Sequence, residues 1–531
     1  MVRLKPFDAL GNFTPSTDGL RRRALRGAAA TLLSSGLGTA MHIVSVVVLA
    51  RLLKPADVGL VAMVTTFSFM FASWGLNGFT EAIIKSDDLN HALVSNVFWI
   101  NLAISVLLTG AFASAGPLLA WLYGDPRIPY LTAALSLTIF LNSTWVVHLA
   151  LLSRAMRFGA VSVNDRVRHA VEIIVTVLLA WAGWGYWCLV GGYLASAIAT
   201  SLGAWILCQW IPSRPRAVPG TGSMVRFAIQ VYARYTSYYW AHNSDNLLVG
   251  WRFGAQALGF YKKAYDLFVL AASQVVYPLT HVAMAALSRV SKDPDEYKRC
   301  FTRTLGVLAF ISMGVGANLT LIGRDVIFIL LGPAWAPSGR IFAFFGLGIG
   351  IMAVYETHGW IHLSIGRPDR WFRWGLIEFP VTGALFVAAL PLGPIGVAMA
   401  WTTSYWVLSI PALWYAGRPI GLSVGSLIKV LWKYAAASFM ALCAVMIILR
   451  DSYFGASQTA LDAFNRAMIV SVLYVSSYLV AVRLLHGSFA PVSQFGRLLK
   501  EMLPRRSAAD PKIVSPSIQE SIEPKPEEGL S

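Results

Sequence analysis

Long apolar runs recur along this chain from about residue 27 to about residue 485, each near the ~20 residues an α-helix needs to cross the hydrocarbon of a bilayer. No fold in water can hide them all. Charged residues make up only 13% of the chain, against about 25% in soluble domains, and the mean hydropathy is +0.60. The predicted class is an all-α polytopic membrane protein, since spanning helices satisfy every backbone polar group within one segment.

The runs predict about fourteen spans, near residues 27–52, 58–78, 93–116, 130–152, 165–183, 187–210, 227–252, 260–287, 304–322, 341–364, 374–391, 394–416, 432–450 and 464–485. With every second loop and both termini on one side, that side holds roughly three times as many Lys and Arg as the other. The bias predicts cytoplasmic N- and C-termini. Residues 1–26 carry Arg3, Lys5, Arg21, Arg22, Arg23 and Arg26. The run that follows is longer than the ~7–15 residues of a signal-peptide core, so these residues read as a cytoplasmic N-terminus. Residues 486–531 end in a Pro-, Ser- and Glu-rich stretch whose composition predicts a largely disordered tail.

Several function classes are disfavoured. The net charge of +17 lies in short segments between apolar runs, unlike the clustered basic face of a nucleic-acid binder. Cys188, Cys208, Cys300 and Cys443 show no CxxC spacing and predict neither a disulfide framework nor a metal site. There is no Walker, GxSxG or HExxH motif. The chain reads as a non-enzyme without a cofactor, driven by an ion gradient or by its substrate's own gradient.

Ionisable groups inside spans are costly and usually face a cavity or a partner. In the seventh span Gln230, Arg234, Tyr238, His242 and Asp245 fall within roughly 120° of one another on a stripe about 22 Å long. It predicts either a polar seam between helices or the wall of a transport cavity, and Arg with Asp at depth favours the wall. Asp245 and His242 are candidates for ion coupling. Alternatively, Asp245 braces the helix by pairing with His42 or Arg234. In the eighth span Asp266, Ser273, Tyr277 and His281 share a face, with Pro278 able to kink it. In the tenth, Tyr355, His358 and His362 share a face beside Glu356. Two His at this spacing are half a metal site, but no third ligand is near in sequence, so cavity-lining histidines are the better reading. Glu172 and Glu378 are expected to pair with Arg168 and Arg373. Trp121, Trp210, Trp335 and Trp371 near span ends fit an interfacial belt. Tyr239 and Trp240 are placed to stack on sugar rings.

A weak internal repeat emerges when the chain is slid by 200 residues. His42 falls on His242, and Gly59 on Gly259. It implies two lobes, 27–210 and 227–416, joined by the linker 211–226, with 417–485 as two added helices.

Residues 242–267, HNSDNLLVGWRFGAQALGFYKKAYDL, resemble a signature of the Wzx-type polysaccharide transporters through Asn243, Asp245, Gly250, Gly254, Leu258, Gly259, Tyr261, Ala264 and Leu267. ARLLKPADVGLVAMV at 50–64, YPLTHVAMAALSRVSKDPDEYKR at 277–299 and LGPAWAPS at 331–338 resemble the same family, in its colanic-acid-exporter subgroup. The resemblance implies two six-helix lobes around a central cavity, as in multidrug, oligosaccharidyl-lipid and polysaccharide exporters. It implies a bacterial inner-membrane location, and an undecaprenyl-diphosphate-linked oligosaccharide as substrate. Polymerase or export machinery are further partners it would allow. Two other readings stay open: a small-molecule exporter of the same superfamily, and a membrane-embedded polymerase, which usually carries a larger extramembrane loop than any here.

Overall fold

The computed structural model describes residues 4–8, 10–13, 36, 38–86, 88–291, 293–449 and 459–487. Among them the regular structure is helical, apart from isolated bridges at Leu4, Phe7 and Asn12. The helices are α1 (Gly38–Leu52), α2 (Pro55–Ala72), α3 (Trp74–Lys85), α4 (His91–Ser114), α5 (Gly116–Tyr123), α6 (Ile128–Ser143), α7 (Val146–Arg154), α8 (Phe158–Trp181) and α9 (Trp187–Leu207). They continue with α10 (Thr221–Arg289), α11 (Pro294–Leu331), α12 (Ala336–Ser364), α13 (Pro368–Ala389), α14 (Gly393–Gly417), α15 (Val424–Leu449) and α16 (Ala460–His486). The N-terminal segment before residue 38 and the tail beyond 487 lie mostly or wholly outside the described residues.

From residue 38 on, each predicted span overlaps a helix; the spans near 58–78 and 130–152 each correspond to two helices stacked end to end, α2–α3 and α6–α7. Nine helical stretches among the described residues are long and apolar enough to cross a membrane. α8 is not among them; it carries Asp165, Arg166, Arg168 and Glu172.

α10 contains two predicted spans and breaks at one residue, Gly254, with φ 79° and ψ −179°. A side chain is disfavoured there, and glycine is the residue that accepts it. The Tyr261 hydroxyl donates to Asp245 Oδ2 at 2.7 Å. In a straight helix these residues would stand about 24 Å apart. The chain therefore doubles back at Gly254 into two antiparallel arms, α10a (221–253) and α10b (255–289).

The arms hold the bundle together. α10a packs on α2, where the hydroxyls of Tyr232 and Tyr239 donate to the carbonyls of Met70 and Thr66. α10 also packs on α3, α12, α13 and α14. The largest core runs through α2, α6, α10b, α11, α12 and α14; a second joins α3, α4 and α7 to the start of α10. The connection from α9 to α10 is tied along α4: Ser213 N–H donates to Ser95, Trp99 donates to the Ser213 carbonyl, and Asn96 bonds both backbone groups of Arg216.

The two glycines matched by the 200-residue slide meet in space. A Cβ on Gly59 would overlap the carbonyl oxygen of Ala255, and one on Gly259 would overlap that of Pro55. Only glycine lets α2 and α10b approach this closely.

At the C-terminal end, α15 and α16 pack on α11, where Arg466 forms an ion pair with the buried Asp325. Removing one member of such a pair strands the other charge, at a cost of about 3–5 kcal/mol. Asp325→Ala and Arg466→Ala should each lower the unfolding midpoint in detergent, and the double variant should recover part of the loss. Additive losses in the double variant would show that the two side chains do not act as a pair.

Candidate transport cavity

A cavity of about 280 Å³ opens between α3, α10a, α12 and α13. α10a supplies Arg234, Tyr235, Ser237 and Tyr238; α3 supplies Glu81, α12 Glu356, and α13 Trp371 and Glu378. The spacing of Arg234, Tyr238 and His242 turns these side chains to one side of the helix. The Arg234 guanidinium lies 5.7 Å from the ring centre of Trp371. Tyr238 stacks on His242 with ring centres 4.2 Å apart, and His242 Nε2 lies 3.9 Å from Glu378 Oε1. Glu81, Arg234 and Tyr238 are exposed, whereas Glu356 is half-buried and Glu378 buried.

Of the stripe, Arg234 and Tyr238 line the cavity, and His242 lies behind them, stacked on Tyr238. Gln230 lines a separate recess at the start of α10 with Ser223 and Arg226. Asp245 is fully buried and does not line the cavity; besides Tyr261, Trp401 Nε1 donates to its Oδ2 at 2.8 Å. The expected partners His42 and Arg234 are not the ones it bonds. Asp266 pairs with Lys262 at 2.7 Å, and Tyr277 is exposed. The His281 side chain lies outside the described residues. His358 and His362 are buried away from the cavity, His358 with Nδ1 at 2.5 Å from the Tyr355 carbonyl and His362 against the Tyr415 ring.

Two ion-pair expectations divide. Glu172 does pair with Arg168, at 3.3 Å, but Glu378 faces His242 instead of Arg373. The aromatics also redistribute. Tyr239 bonds α2, and Trp240 packs on Phe67, so the rings at the cavity are Tyr235, Tyr238, Trp371 and Phe372. The sequence reading missed Glu81 and left Glu356 and Glu378 out of the cavity. Their signal was present, as carboxylates in or beside apolar runs, but which helix each would face was not.

A second charged region lies where α1, α8 and α10b converge. The Arg166 guanidinium sits against Gly38, and Arg168 bridges Asp165 and Glu172. His42 is close enough to His169, Lys263 and Asp266 for their charges to interact. No group of three or more His, Cys, Asp or Glu among the described residues is arranged to hold a metal ion. The cavity instead combines ring faces, carboxylate acceptors and one guanidinium donor, which suits a polar, hydroxyl-rich solute.

A family described as "Polysaccharide biosynthesis protein" matches residues 48–340. The chain belongs to that family. It is 25% identical over 363 residues to the succinoglycan biosynthesis transport protein ExoT of Rhizobium meliloti (strain 1021), covering 68% of this chain and 73% of that one. It is 20% identical over 423 residues to the lipopolysaccharide biosynthesis protein WzxC of Escherichia coli (strain K12), covering 76% and 85%. Among solved structures, the lipid II flippase MurJ in an inward closed conformation superposes with a TM-score of 0.68 at 15% identity, over 87% of this chain and 99% of that one. An inward-facing MATE multidrug transporter of the MOP superfamily gives 0.62 at 13% identity, over 72% and 94%. The fold is therefore that of the MurJ and MATE exporters, and the chain is a multi-pass membrane protein related to transporters of polysaccharide biosynthesis.

The Asp245 contacts carry a prediction. Asp245→Ala leaves the Tyr261 hydroxyl and the Trp401 N–H buried without their acceptor, at about 1–3 kcal/mol for each such group. It should lower the unfolding midpoint more than Tyr261→Phe or Trp401→Phe. Arg234→Ala, on the open cavity wall, should leave the midpoint nearly unchanged. Equal midpoints for all four would show that Asp245 braces nothing.

Proposed function

We propose that the chain exports an undecaprenyl-diphosphate-linked oligosaccharide repeat unit across a bacterial inner membrane for surface or exopolysaccharide synthesis. The observation that carries this reading is the cavity wall, where Tyr235, Tyr238 and Trp371 stand beside Arg234, Glu81, Glu356 and Glu378. Sugar rings stack their apolar faces on aromatics and donate hydrogen bonds from their hydroxyls to carboxylates. The lipid tail remains in the bilayer while the head group passes through the cavity. The diphosphate needs cations, and Arg234 has the ring-supported guanidinium suited to it.

The proposed mechanism is alternating access between two lobes, 27–210 and 227–416, with both termini cytoplasmic. Asp245 braces the α10 hairpin. His242 takes the ion-coupling role together with Glu378, 3.9 Å away. The ExoT and WzxC similarities support a polysaccharide cargo over a small toxic molecule.

The test is a deletion strain complemented with the unaltered chain, Glu378→Gln or Arg234→Ala. The deletion should accumulate undecaprenyl-linked repeat units and lose surface glycan. Each variant, at normal abundance, should restore glycan about tenfold less well or worse, the value of one hydrogen bond to a charged group. Unchanged glycan with new sensitivity to small toxins would replace the proposed cargo with a drug.

A further inference from the structure

The connection from α9 to α10 is a strip of irregular backbone laid along the outside of a spanning helix. Residues 209–218 have no regular structure. Ser213 and Arg216 nonetheless bond Ser95, Trp99 and Asn96 of α4, and the Ile211 carbonyl lies 3.2 Å from His91 Nε2. From His91 to Trp99 the strip follows roughly 12 Å of helix at 1.5 Å per residue. α4 has 24 residues, about 36 Å against ~30 Å of hydrocarbon, so the strip beside its first turns stands at headgroup level. Pro212, Pro215 and Pro219 remove three N–H donors from this exposed backbone. Trp99, 38% exposed, and Ile211, 76% exposed, offer it apolar contact with lipid.

Four cations gather on and beside the strip. Arg214 and Arg216 project from it, both exposed. Asn96 Nδ2 donates to the Arg216 carbonyl at 2.6 Å and to Thr221 Oγ1 at 3.2 Å, so the strip ends against the start of α10. There Ser223, Arg226, Phe227 and Gln230 line a recess of about 430 Å³. Lys85, at the end of α3, holds its ammonium 5.3 Å from the centre of the Phe227 ring. Among the described residues no carboxylate forms an ion pair with Lys85, Arg214, Arg216 or Arg226. At headgroup level the anions on hand are lipid phosphates, which draw basic residues to the surface. A guanidinium presents the donor fork that matches phosphate oxygens. The Ser223 hydroxyl and the Gln230 amide add uncharged donors at the recess.

We propose that the strip at residues 211–216 and the recess beside it form a docking site for the headgroup of an anionic phospholipid in the leaflet at this end of the bundle. Charge complementarity selects the occupant: four unpaired cations meet the phosphate, while Ile211 and Trp99 meet the acyl chains of the same lipid. A neutral zwitterionic headgroup brings no net charge to the cluster and binds it weakly. The bound lipid joins α3, α4 and the connection to the start of α10, the hairpin on which the bundle is assembled. The inference needs a membrane-spanning chain and is independent of the cargo.

The test titrates short-chain phosphatidylglycerol, or phosphatidylcholine of the same chain length, into the full chain in neutral detergent and follows the unfolding midpoint. A ligand of the folded state raises the midpoint with its concentration, and the curve gives an apparent affinity. Phosphatidylglycerol should raise it well beyond phosphatidylcholine, and added salt should shrink the difference. The double variants Arg214→Gln with Arg216→Gln, and Lys85→Gln with Arg226→Gln, should each weaken the apparent affinity by about fivefold per charge removed, the equivalent of about 1 kcal/mol per basic residue. Arg418→Gln with Lys429→Gln, which removes two cations near the end of α14 and the start of α15, should leave it at the parent's value. Because each variant is compared with itself across lipids, a lowered starting midpoint does not obscure the answer. Equal rises for the two lipids would overturn the proposal, as would an equal loss in the Arg418/Lys429 variant. Inorganic phosphate or pyrophosphate reproducing the full rise would overturn the lipid as occupant. Loss of the lipid-linked cargo assignment would leave this readout unchanged, so the two ideas fail separately.

Discussion

The bundle depends on one buried carboxylate. Asp245 sits in the middle of a hairpin whose arms each reach into different neighbours, and its Oδ2 accepts from Tyr261 on the opposite arm and from Trp401 on α14. An ionised or protonated carboxyl at this depth is expensive unless its bonds are met. Once made, those bonds set the register of α10a against α10b and tie both to α14. Gly254 permits the reversal, and Leu258, Tyr261 and Ala264, all buried, fill the interior of the returning arm. The motif residues are thus largely a construction of the hairpin, and the residues lining the cavity lie one to three turns away.

This division explains how an apolar protein keeps charge at depth. Groups with fixed partners are structural: Asp245 in the hairpin, Asp325 with Arg466 under α16, Asp266 with Lys262 on α10b. Groups at the cavity are held more loosely. His242 and Glu378 stand 3.9 Å apart, beyond hydrogen-bonding reach, and Arg234 rests on a ring face. Loosely held groups can exchange their partners for a passing solute, whereas a satisfied buried pair resists exchange.

The contact between α2 and α10b follows a different rule. Lipid offers no hydrophobic drive to join helices, so close backbone approach supplies the attraction, and small residues permit it. The close approach has one physical cause, the missing Cβ at Gly59 and Gly259.

Much of the architecture was legible from residue order. The helical, membrane-spanning class and the amphipathic stripe of α10a follow from run length, the cost of bare backbone in lipid and the 3.6-residue period, all local properties. The weak repeat even matched two glycines that touch. Which helix each stripe would face was not local. His358 and His362 share a face as predicted, yet packing against Trp371, Trp374 and Tyr415 puts that face in the core. Glu378 could have met an arginine one turn away, and crossing helices gave it His242 instead. The sequence by itself determined that this chain spans a membrane as helices carrying polar stripes. Only the tertiary structure decided which stripes became cavity wall, core or hairpin brace, because a periodic pattern specifies a face and the partner of that face depends on segments hundreds of residues away.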